Sequence, residues 1–91
     1  MYEFVVEADR IISFDGRIVE QFWRGTNPGS SKWRIHQAHV GAEISSTRKA
    51  DVYRVHIGER YSGRVAADIQ FDVAASRLAE IQAFLATFAG A

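Results

Sequence analysis

Apolar and polar residues alternate along most of this chain and then change period near its end. Residues 2–14 carry Tyr2, Phe4, Val5, Val6, Ile11, Ile12 and Phe14, which predict one long strand or two short ones. Ala8-Asp9-Arg10 weakens the middle of that stretch and is a place for a bulge. Asp15-Gly16 signals a hairpin turn, because glycine takes a positive φ without steric cost. A three-residue loop there sets Ile12 opposite Ile18 and Arg10 opposite Glu20, with Ile12, Ile18 and Phe22 on one inward face and Trp23 on the other. A two-residue loop would instead set Ile11 opposite Glu20.

Asn27-Pro28-Gly29-Ser30-Ser31 is the strongest loop signal in the chain. Strands are predicted after it over 32–36, 40–47 and 52–57, with Tyr53, Val55 and Ile57 as core candidates, and a further extended stretch over 64–71. Residues 48–51 and 58–63 read as turns. From 73 to 88 the apolar positions Ala74, Leu78, Ile81, Leu85 and Phe88 recur at three and four, which predicts an amphipathic helix with Asp72 as its N-cap. The expected architecture is therefore mostly β, six or seven antiparallel strands with one C-terminal helix over 73–88, in a single domain spanning 1–91.

Composition narrows the class. Hydrophobic residues make up 47% and charged residues 24%, as in ordinary soluble globular domains. No apolar run approaches the ~18 residues of a membrane span. An acidic N-terminal flank without an apolar leader, and the absence of cysteine, lead to the expectation of a cytoplasmic protein without disulfides or a thiolate metal site. Net charge is zero, which gives no global field for nucleic acid. The cations are concentrated in the middle: residues 24–64 hold eight bases against three acids, a surplus of five.

The chain resembles the bacterial pleckstrin-homology-like domains, in particular a short domain of unknown function often found with a SHOCT helical module. The residues that carry the likeness are Phe14-Asp15-Gly16 with Val19, Arg34-Ile35-His36-Gln37-Ala38-His39-Val40 leading into Ala42-Glu43-Ile44, then 52–57 and Phe71 before the helix. The family's usual proline near His36 is missing. The resemblance implies a seven-stranded barrel of two nearly orthogonal sheets, closed at one end by the helix, and no catalytic residues.

Four functional readings follow. Trp23, Arg24, Lys32, Trp33 and Arg34 surround the proline loop, and cations beside indoles suit an anionic lipid headgroup or a small anion. The resemblance implies that a phosphoinositide would be held by basic residues around the first hairpin loop, and here that loop is the tight, acidic Asp15-Gly16 with only Arg17 beside it. The first strand, through Tyr2, Phe4 and Val6, offers an edge for protein contact or homo-oligomerisation. His36, His39 and His56 are the only imidazoles and lack the spacing of a zinc site, so no metal or other cofactor is expected. No serine has a nucleophile-elbow context and no carboxylates form an acid–base pair, so enzymatic activity is not expected either. The leading expectation is a non-enzymatic interaction or self-association module; the rival is an anion or membrane-surface binder.

Overall fold

The computed structural model describes residues 1–23, 33–66 and 68–89, except for the side chain of Trp23. Among the described residues, eight strands form two antiparallel sheets. The first contains β1 (Tyr2–Glu7), β2 (Arg10–Phe14), β3 (Ile18–Trp23) and β4 (Trp33–His36), in that spatial order. The second centres on β6 (Val52–Tyr61), which pairs with β5 (Val40–Ser46), with β7 (Arg64–Val65) and with β8 (Ile69–Ala74). A 3-10 turn over Gln37–His39 connects the sheets, and a second over Ala75–Arg77 leads into the helix α1 (Leu78–Ala86). Among the described residues no strand of one sheet pairs with a strand of the other, so the sheets do not close into the expected barrel.

The first hairpin differs from expectation. Asp15 Oδ1 accepts hydrogen bonds from the N–H groups of Arg17 and Ile18, both at 2.8 Å. This side-chain turn lengthens the loop and pairs Phe14 with Val19 and Ile12 with Gln21, instead of Ile12 with Ile18. A shift of three residues is odd, so every β3 side chain changes face. Val19 is buried, whereas Phe22, expected inside, is 43% exposed. Arg10 lies opposite Trp23 rather than Glu20.

The end of the chain differs too. Val73 and Ala74 finish β8, because the period of two set by Ile69 and Phe71 continues through Val73 and all three are buried. Asp72 faces out from that strand and is no helix cap; the helix therefore begins at Leu78, five residues later than its apolar spacing suggested. The turn expected over 58–63 is shorter: β6 continues through Gly58 to Tyr61, and the reversal falls at Ser62-Gly63, where Ser62 has φ 51° and Gly63 φ 72°.

One core joins both sheets and the helix. Phe4, Ile12, Phe14 and Val19 from the first sheet meet Val40, Val55, Ile57, Ile69, Phe71 and Val73 from the second, and Ile81, Phe84, Leu85 and Phe88 cover them. Val55 and Ile57 are buried and Tyr53 packs against them, as the alternation predicted. Rings bind the layers together: Phe4 lies 5.9 Å from both Phe71 and Phe84, and Phe88 lies 5.5 Å from Phe14. Arg10 crosses the seam, donating to Gln21 Oε1 at 2.6 Å on one sheet while its guanidinium lies 5.4 Å from the Phe71 ring centre on the other. Burial of that guanidinium lowers its pKa from the ordinary arginine value.

Candidate functional site

The β4 strand separates the residues that the sequence grouped together. Trp33 is half-buried and packs on the core, in the inward row Phe4–Ile12–Gln21–Trp33. Arg34, its neighbour, lies in the adjacent row and points the opposite way. Its guanidinium Nε sits 3.2 Å from Glu20 Oε2, and the arginine side chain remains mostly exposed. Trp33 and Arg34 therefore do not share a surface. Arg24, Lys32 and the side chain of Trp23 lie outside the described residues.

The first hairpin turn is not at Asp15-Gly16, where it was expected. Residues 2–14 form two strands, so the first hairpin turn is Ala8-Asp9, and Asp15-Gly16 is the second. The first loop still carries Glu7 and Asp9 at its rim, both exposed.

The first strand divides its side chains between core and surface. Phe4 is 1% exposed and belongs wholly to the core, and Val6 is half-buried against it. Tyr2 stacks on Phe14 at 6.4 Å with 54% of its surface exposed. The backbone edge is partly occupied: Arg77 Nη2 donates to Val5 O at 2.7 Å, and Nη1 to Val6 O at 3.5 Å. Both carbonyls turn toward the same side because the ladder has a bulge between Val5 and Glu7.

A different surface emerges from the observed register. Val5, Ile11 and Phe22 are consecutive cross-strand partners, and they form an apolar row across three strands of the first sheet's outer face. Val5 is 47% exposed and Phe22 43%. Beside it runs the row Glu3–Ser13–Glu20–Arg34, acidic at one end and basic at the other. The alternation within β1 and β2 made this row visible in principle; only the hairpin register hid it, by sending Phe22 to the wrong face.

The second sheet's outer face is polar. Arg54 donates to Asp72 through Nε at 3.0 Å and Nη2 at 3.4 Å. This hydrogen bond raises the arginine pKa and holds the Asp72 carboxyl below its usual range. His56 Nε2 lies 3.0 Å from Gln70 Oε1. His36 and His39 approach with ring centres 6.3 Å apart, while His56 belongs to the other sheet. Among the described residues no three histidines or carboxylates gather as a metal site would require, and no helix is long and apolar enough to cross a membrane.

Compared with protein-family models, with curated proteins and with solved structures, the chain matches none.

Proposed function

We propose that this chain is a non-enzymatic interaction module of pleckstrin-homology-like fold that self-associates through the outer face of its first sheet. The fold assignment is supported by the order of parts: a four-stranded antiparallel meander, a second antiparallel sheet, then one helix packed on the core. The observation that carries the functional reading is the Val5–Ile11–Phe22 row, exposed at Val5 and Phe22 and half-buried at Ile11. Neighbouring apolar side chains on a strand face that also carries Glu3, Ser13, Glu20 and Arg34 are the kind of patch that contact covers.

The partner is a second copy of the chain. The flanking row runs from Glu3 to Arg34, so stacking this face on itself about a two-fold axis sets Glu3 of one copy toward Arg34 of the other while the apolar rows meet. Strand addition at β1 is the weaker route to a dimer, since Arg77 already satisfies the carbonyls of Val5 and Val6.

Sedimentation velocity over a concentration series tests this. A weight-average mass that rises with concentration is expected for the parent chain, and a monomer for Phe22→Glu and Val5→Lys, both at exposed positions that leave the core intact. A parent chain that stays monomeric at millimolar concentration would remove the proposal.

A further inference from the structure

The turn between β5 and β6 carries two adjacent cations, Arg48 and Lys49. Ser46, Thr47, Arg48, Lys49, Val52, Arg54 and Asp72 line an open groove there. Thr47 fixes its shape. The Thr47 hydroxyl accepts from the N–H of Lys49 at 3.1 Å and shares its own proton between the carbonyls of Val52, at 2.8 Å, and Lys49, at 3.1 Å. Val52 N–H closes the same turn on Lys49 O at 3.3 Å. The backbone that carries Arg48 and Lys49 is thus pinned, which lowers the entropy lost when their side chains engage a ligand.

Those two side chains make no hydrogen bond or ion pair among the described residues. The third cation, Arg54, is held by Asp72. Three cations against one carboxylate leave the groove a surplus of two positive charges, in a chain whose net charge is zero. Asp72 is also stabilised as an anion by the charge of Lys49, so the cations act on one shared region. Asp51, in the same turn, does not line the groove, but its charge reduces the local surplus to one.

We propose that this groove binds a phosphomonoester or inorganic phosphate dianion. Arg48 and Lys49 contact its free oxygens, and Arg54 divides its donors between the phosphate and Asp72. A phosphate dianion offers three acceptor oxygens to these cations and twice the charge with which a carboxylate would pass the same Asp72. This site lies on the second sheet, includes none of the residues that the sequence grouped around the proline loop, and does not depend on self-association.

Amide NMR of the labelled full chain, titrated with inorganic phosphate at constant ionic strength, tests it. Saturable shifts confined to residues 46–54 and 72 are expected. The double substitution Arg48→Gln, Lys49→Gln weakens binding about tenfold or more, the scale of one or two lost charge-assisted hydrogen bonds. Asp72→Asn tightens it, because the competing carboxylate is gone. Shifts that do not saturate, that spread equally over Arg60 and Arg64, or that survive the double substitution would overturn the site. The source of the phosphate is read by flotation with phosphatidylcholine vesicles containing phosphatidic acid. Capture competed away by free phosphate supports a lipid headgroup at this groove, and phosphate binding without capture supports a soluble phosphomonoester. Capture untouched by Arg48→Gln, Lys49→Gln overturns the assignment to this turn.

Discussion

Arg77 and Val5 are 72 residues apart, yet Arg77 Nη2 donates to the Val5 carbonyl at 2.7 Å. The same guanidinium lies 4.4 Å from the Phe4 ring centre and is gripped by both carboxylate oxygens of Glu80 at 3.0 Å. One side chain therefore ties the approach to the helix to the exposed edge of the first sheet. Arg77→Ala removes the donor and uncovers the edge carbonyls. Since the site is partly solvated and water replaces the lost donor, a loss of about 1–2 kcal/mol is expected in urea unfolding. Arg77→Lys retains one donor but not the planar fork, and should recover less than half of that loss. An unchanged midpoint for Arg77→Ala would show that this tie is not made in solution.

Three carboxyls are held below their usual range in the folded state. Asp15 is held there chiefly by the N–H groups of Ile18 and Arg17, Asp72 by its hydrogen bond from Arg54, and Glu80 by its hydrogen bond from Arg77. A depressed folded pKa means that the unfolded chain binds more protons as acid is added. Stability is thus fully present above the ordinary carboxylate range and is lost as pH falls through about 4 and below. The urea midpoint should be level near neutrality and fall on acidification. Asp15→Asn keeps an oxygen for the turn but no titrating proton, so its profile should be flatter. All three groups are exposed, so each effect is small, and a midpoint that rises with acid would contradict the assignment.

Most of the architecture was legible from local pattern. Alternation at Tyr53, Val55 and Ile57 and the spacing of Leu78, Ile81 and Leu85 are written in neighbouring residues, and these residues pack where their pattern directs. What failed to show were features decided by single hydrogen bonds or distant packing. The Asp15 side-chain turn moved the β2–β3 register by an odd number and exposed Phe22, because hydrophobic pattern tolerates either register when Ile18, Val19 and Phe22 are all apolar. Val73 suits a helix as part of an apolar spacing and a strand as a β-branched residue; pairing with Tyr53 decided it. The phosphate groove has a faint sequence signal, Arg48-Lys49 in a turn, but its third cation comes from another position on β6 and its carboxylate from β8.

Two phenylalanines of the same chain should respond in opposite ways. Phe84 is buried between Phe4 at 5.9 Å and Phe88 at 5.3 Å, whereas Phe22 stands on the outer face. Phe84→Ala leaves a cavity under the helix and should cost about 3–5 kcal/mol, a large share of the ~5–15 kcal/mol typical of a domain. Phe22→Ala should cost under about 1 kcal/mol while weakening self-association. Equal thermal shifts for the two would mean that the observed β3 register is wrong.

Gly58 and Gly41 are cross-strand partners, and the two answer to different neighbours. A Cβ on Gly58 would overlap the carbonyl oxygen of Ala66 and lie 2.7 Å from its carbon. Ala66 is fixed there by donating its N–H to Glu59 O at 2.8 Å and accepting from Asp68 N–H at 2.9 Å. Backbone anchored at both sides cannot give way, so Gly58→Ala must open β6 or lift the connection from β7 to β8, at about 3 kcal/mol or more. On Gly41 the obstacles are side-chain carbons close to their backbones, Val65 Cγ2 at 2.8 Å and Arg60 Cβ at 3.0 Å, so the short β7 must shift slightly to admit a methyl. Gly41→Ala should therefore cost less than Gly58→Ala, about 1–2 kcal/mol. Hydrogen exchange adds the location: Gly58→Ala should deprotect the amides of Ala66 and Asp68 first. If Gly58→Ala melts with the parent chain and keeps those amides protected, the close crossing at Ala66 does not exist.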